Sequence, residues 1–229
     1  MNERLALALF FSLAPGCAAA RMAVPTDIAT ASEELAITER SSWTGALADE
    51  SFNLGPYKVV EVDRKWNSKR SSSLGAIEST RSSGGYTWKL TGGESELSGV
   101  CETENRGKSA DLGDGLSFGS TVAKLGCSCN DASARAELLI QASTTEGYDG
   151  ALKRSNDAAH VRMINEREGG GDSSDPTGYR VDADSAPLGA VDVMGKGRVW
   201  ISKTVQGRDR AELACVFAGL LLYQLPKER

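Results

Sequence analysis

Residues 85–102 read GYTWKLTGGESELSGVCE, and the alternation in this segment decides the class of fold. Tyr86, Trp88 and Leu90 fall on one side of an extended chain, with Thr87 and Lys89 on the other. A period of two marks a strand with one buried face. The residues TGGE offer a tight turn, and ELSGVCE returns as the partner strand.

The same grammar continues downstream. TVAKLGCSC, ARAELLIQA, YDGALKR, AHVRMIN and GYRVDAD are short strand candidates separated by Gly, Asp, Asn, Ser and Pro. LGAVDVMGKGRVWISK is the cleanest hairpin, turning at Gly195-Lys196-Gly197, where glycine supplies a positive φ. Upstream, SFNLGPYKVVEVDRKW is also extended, with Tyr57, Val59 and Glu61 opposite Lys58, Val60 and Val62. Between these segments, NSKRSSSLGAIESTRSSGG reads as a long loop or irregular edge. The expectation is an all-β or mainly β domain: an antiparallel sandwich or barrel-like sheet with one C-terminal α-helix. That helix is GRDRAELACVFAGLLLYQLP, spanning about 208–225. It is apolar almost all round over residues 213–222 and therefore reads as a core helix, packed on the sheet at an edge or an open end.

Composition bounds the function. The 229 residues are 40% hydrophobic and 25% charged, enough for a real core, and the net charge of −5 disfavours nucleic acid as a partner. The basic cluster at Arg64, Lys65, Lys69 and Arg70 is broken by Trp66 and reads as a solvated face. No apolar run is long enough for a transmembrane helix.

The amino terminus reads as an address label. Residues 1–20 place Glu3 and Arg4 before a short apolar run and then small residues, the layout of a secretory signal. Cleavage after Ala20 releases a chain that starts at Arg21. Leu13-Ala14-Pro15-Gly16-Cys17, alternatively, resembles the bacterial lipoprotein signal. That resemblance implies a diacylglycerol on the Cys17 thiol, cleavage before Cys17, and residence in the outer membrane or periplasm. Acyl chains of this kind hold a soluble domain on a membrane. Residues 21–43 read as a flexible tether, leaving 44–229 as a single β-rich domain.

In an exported chain, Cys101, Cys127 and Cys129 are disulfide candidates. Cys127 and Cys129 face the same side of a strand, so either can meet Cys101, and Cys215 is a buried thiol or the partner in a second bridge. A soft-metal site would need His160, Met163 or Met194 beside the cysteines, at a spacing that specifies nothing; neither metal nor cofactor is expected.

Two motifs imitate chemistry. Gly115-Leu116-Ser117-Phe118-Gly119 matches G-x-S-x-G, but it lacks the strand before and the helix after that make a nucleophile elbow. His160 lies downstream as the chain's one histidine, so a serine hydrolase using Ser117 and His160 is the weakest reading; no catalytic residue is assigned. The acidic residues Asp172, Asp175, Asp182 and Asp184 sit in turn-like contexts without the EF-hand pattern. With Trp66 they define a possible carbohydrate- or calcium-dependent ligand site, whereas Trp88 and Trp200 belong to the core. The leading expectation is an exported envelope protein: a lipid-anchored, non-catalytic β-domain acting through binding or structural contacts. Its expected partners are the membrane, through the anchor, and an envelope protein.

Overall fold

The computed structural model describes residues 20–40, 50–74, 77–93, 95–111, 117–132, 135–143, 147–155, 157–184 and 186–223. Among these, the strands are β1 (Ser32–Leu35), β2 (Ile37–Thr38), β3 (Phe52–Leu54), β4 (Tyr57–Leu74), β5 (Ile77–Gly92), β6 (Ser95–Asp111) and β7 (Ser117–Asn130). They continue with β8 (Arg135–Ser143), β9 (Gly147–Lys153), β10 (Ala158–Ile164), β11 (Gly178–Ala183), β12 (Ala186–Asp192) and β13 (Arg198–Ser202). Two helices, α1 (Thr26–Ala31) and α2 (Gly207–Leu222), complete the described elements. All strand pairs are antiparallel, and from β2 to β13 each strand lies beside the next in sequence.

The spatial order starts at β1, beside β13, and ends at β2, beside β3. Only Ala36 separates β1 from β2, and its carbonyl accepts the Gly55 amide at 2.9 Å. One chain segment therefore joins the first and last walls, and the sheet curls into a nearly closed barrel. Of the two architectures expected, the sandwich is excluded.

Alternation sorts the side chains. A cross-strand row runs through Tyr86, Cys101, Cys127, Leu138, Leu152 and Ala159, and all six are buried inside. The adjacent outward row holds Gly85, Glu102, Gly126, Leu139, Ala151 and His160. Leu139 is the one large exposed apolar side chain among the described residues. This polar exterior is the reverse of a lipid-facing barrel wall. No described helix is long and apolar enough to cross a membrane.

The helix α2 sits inside the barrel. Residues 211–222 are buried without interruption, because α2 approaches walls on several sides: β5 to β8 and also β12 and β13. A helix apolar all round cannot lie on one sheet face without leaving half its surface wet, so enclosure is the stable solution. Polar contacts tie its C-terminal end. The Tyr86 hydroxyl donates to the Gly219 carbonyl at 2.8 Å, Arg40 donates to the Leu221 carbonyl at 2.5 Å, and Arg64 donates to that of Leu222 at 3.0 Å. The Leu221 and Leu222 carbonyls are ones a helix C-terminus leaves unpaired, Gly219 accepts the Tyr223 amide as well, and guanidinium donors suit the helix dipole. Burial pushes the Tyr86 hydroxyl pKa well above the ordinary value.

Three sequence expectations require correction. Residues 21–40, read as part of a tether, carry α1, β1 and β2 and complete the barrel. Met22 and Ile28 are fully buried against Ile164, Ala190 and Trp200, so a second small core lies outside the β12–β13 wall. Both faces of that wall are covered, which is why its sequence runs apolar with little alternation. Segment 67–85, read as a loop, supplies the far ends of β4 and β5: residues 68–74 pair with 77–83 in regular register. Finally, the alternation from Tyr57 breaks at Glu61. There φ is +53° and the register shifts, so Val62 packs against the core and Arg64 turns inward over the Tyr86 ring.

Candidate functional site

The outer wall is concave where β4 to β7 outgrow the shorter strands beside them. One cross-strand row there reads Lys65, Gly85, Glu102 and Gly126. Two glycines flanking a glutamate remove side chains from the wall and leave a trough. A Cβ at Gly85 would press on the Cys101 carbonyl at 2.8 Å, whereas one at Gly126 would meet nothing within 4 Å. The groove holds about 820 Å³. Glu102, Glu104 and Glu137 line it together with Lys65, Arg81 and Lys124.

Its carboxylates are partly neutralised. Arg81 reaches Glu104 at 2.5 Å and Arg106 reaches it at 2.9 Å, while Arg135 holds Glu137 at 2.5 Å. The Arg106 hydrogen bond, with Arg81 adding to it, keeps the Glu104 carboxyl below the usual range. Lys65 and Lys124 have no carboxylate partner among the described residues. Such a surface can grip a charged or hydroxyl-rich ligand through several weak contacts.

On the same face, at the edge of the groove that Arg81 lines, register sets Arg70, Arg81 and Arg106 side by side on three neighbouring strands. Sequence reasoning missed this row because its members lie far apart in the chain. Two of the three strand segments looked like a loop and a solvated cluster. Lys69, from the same cluster, belongs to the row set of the opposite face, opposite Ser82.

The predicted site residues are dispersed. The backbone of Trp66 lies at the β4 irregularity between Lys65 and Ser68, on the rim of the groove, and its side chain is outside the described residues. Asp172 and Asp175 are exposed in the connection from β10 to β11, at one end of the barrel. Asp182 and Asp184 lie at the other end of β11, so the chain does not gather the four aspartates. Asp184 occupies a turn at φ +47°, as its residue type allows.

Asp182 is buried and already engaged. Arg180 donates to it at 2.6 Å and Arg162 at 2.7 Å. Burial alone raises its pKa, but these two guanidinium groups outweigh burial and hold the carboxyl below its ordinary value. A carboxyl depressed on folding adds stability above its unfolded pKa, about 4, and loses it as pH falls through the native value. We therefore expect melting temperature to fall on acidification below about pH 4, and Asp182→Asn to flatten that limb. At neutral pH the same substitution costs about 1–3 kcal/mol. An unchanged acid limb would remove Asp182 as the responsible group.

Ser117 opens β7 and His160 lies on β10, with β8 and β9 between them. Three strand spacings separate those walls by about 14 Å, too far for a nucleophile–base hydrogen bond. Residues 112–116 and the Ser117 side chain lie outside the described set. Cys17 and Trp43 lie outside it as well.

The cysteines form two bridges, Cys101–Cys127 and Cys129–Cys215. The first links directly opposed residues of β6 and β7, and the second ties β7 to α2. All four thiolates that a soft metal would use are thereby committed. Two disulfides fit an oxidising, exported setting. The fold and the groove together define a disulfide-bonded antiparallel barrel with an internal helix and a charged outer trough. No family model, curated protein or solved structure matches the chain.

Proposed function

We propose that this chain is an exported envelope protein, held at a membrane through lipid on Cys17, that acts by binding at the outer wall of its barrel and not by catalysis. The observation that carries the reading is where the molecule puts its free surface. The interior is occupied by α2, whereas the outer wall carries an open trough lined by charges of both signs. The paired cysteines support the exported setting, and the Gly16-Cys17 leader supports the anchor.

The test is the intact mass of the protein recovered from the envelope of its own cells, with thiol alkylation before and after reduction. A chain beginning at Cys17 with added acyl mass, in which the other four cysteines alkylate only after reduction, is expected. A bare chain beginning at Arg21 replaces the anchor with secretion. An unprocessed chain confined to the cytoplasm with free thiols overturns export altogether.

A further inference from the structure

The outward row that crosses the groove reads Lys65, Gly85, Glu102, Gly126, Leu139 and Ala151 on β4 to β9. It holds a knob and a hole on one wall. Leu139 is 55% exposed, the one large apolar side chain left in solvent among the described residues. Gly85, three strands away, is a gap that only glycine keeps, because a Cβ there would press on the Cys101 carbonyl. The seam between β6 and β7 lies midway between the two. A two-fold axis along that seam, parallel to the strands, therefore carries each Leu139 over the Gly85 gap of a second copy. It also carries Glu102 over Gly126, where nothing stands within 4 Å of a Cβ position.

The neighbouring rows obey the same exchange. On one side, Glu104 and Lys124 are opposed on β6 and β7, so the axis sets each over the other in the second copy. Lys65 lands over Ala151, beside Asp149 two residues along β9. On the other side, Asp63 and Lys153 end a row that runs through Thr87, Val100, Ser128 and Glu137, and they exchange places. Asp63, Lys65, Lys124 and Lys153 are exposed and have no ion-pair partner among the described residues. One row further, Lys89 meets Arg135, but each brings its own carboxylate, Glu61 and Glu137. A two-fold interface requires one patch to hold both halves of every contact, and a chemically different partner gives no reason for that. We propose that this wall docks on the same wall of a second copy of the chain, about a two-fold axis over the β6–β7 seam. This rests on the reading of the chain as a protein that binds through its outer wall, and it names the partner. The patch spans about 24 Å across the strands and about 14 Å along them, the low end for a specific interface, so the dimer is reversible.

The full chain is tested with Cys17→Ser, so that no acyl chain contributes, by sedimentation equilibrium over a range of concentrations. A reversible monomer–dimer equilibrium with no larger species is expected, because a two-fold contact closes on itself. Leu139→Ser removes a knob from both copies and weakens the dimer on the order of thirty-fold. Asp63→Lys alone, or Lys153→Asp alone, sets like charges together twice in the interface and weakens it at least about ten-fold. The two substitutions combined restore the dimer. Asp63 and Lys153 stand five strand spacings apart in one copy, so that rescue reports a contact between copies. Unchanged melting temperatures and intact disulfides show that these variants are folded. A monomer at every concentration overturns the proposal, as does open-ended assembly. So does a dimer that is indifferent to Leu139, or one that the combined charge swap does not restore. Any of these results alongside the Cys17 acyl mass leaves the exported binding protein standing with a different partner. A rescued dimer from an unprocessed cytoplasmic chain keeps the interface and removes the exported setting.

Discussion

Replacing Cys129 and Cys215 together by alanine lowers the free energy of unfolding by about 4–5 kcal/mol, the loss expected for opening a loop of 86 residues. The matching pair Cys101→Ala, Cys127→Ala opens only 26 residues and costs about 3.5 kcal/mol. Topology widens the difference. Cys101 and Cys127 lie on strands already paired along most of their length, whereas the Cys129–Cys215 bridge is the covalent tie between the wall and the helix inside it. Without that tie α2 is held by packing, by the Tyr86, Arg40 and Arg64 hydrogen bonds to its last carbonyls, by the Ser155 hydroxyl donating to Glu212, and by the Arg208–Asp131 and Arg210–Glu33 ion pairs. Equilibrium urea unfolding of the two variants under non-oxidising conditions checks the ranking. A larger loss from the Cys101–Cys127 pair would show that the helix is not anchored as described.

Trp88→Ala is the second large effect, a loss of about 3–5 kcal/mol for deleting a buried aromatic ring. Trp88 is 1% exposed and wedged between two glycines on different elements. On the wall it lies opposite Gly99, where any Cβ would overlap its ring. On the helix it faces Gly219, where a Cβ would come within 2.7 Å of the ring and 3.1 Å of the Cys101 sulfur. Gly219→Ala is therefore expected to destabilise by overpacking, about 1–3 kcal/mol. The two sites share one space, so combining Trp88→Leu with Gly219→Ala should cost less than the sum of the separate losses. Strict additivity in urea unfolding would refute the wedge.

Both effects depend on features with different visibility in the sequence. The buried alternation of Tyr86, Trp88 and Leu90 was legible because strand faces repeat every two residues. So were the strands from β7 to β11, the β12–β13 hairpin and the buried character of α2, each a local pattern. The pairing of Cys101 with Cys127 followed from two neighbouring strands, though Cys129 remained an equal candidate until Cys215 was located. Glycines 99 and 219 gave no signal, since nothing local distinguishes a glycine that admits an indole from one that makes a turn. The same holds for the arginine row: Arg70, Arg81 and Arg106 become neighbours only through register. Asp182 looked like a turn aspartate, and its two guanidinium partners come one from its own strand and one from the strand beside it.

What the amino-acid sequence determined by itself was a chain of antiparallel strands ending in a helix that is apolar almost all round over residues 213–222. Periodicity and turn chemistry are encoded within a few residues and need no partner to be read. What only the tertiary structure decided was closure. Residues 32–38 must be in place between β13 and β3 before the sheet is a barrel, and a barrel must exist before a helix can be buried on every side. Closure also set which half of each long strand lines the core and which extends beyond it. The Ser-, Thr- and Arg-rich segments 68–73 and 78–83 of β4 and β5 have no helix to cover. Hydrophobic burial gave them no instruction, and cross-strand hydrogen bonding alone placed them.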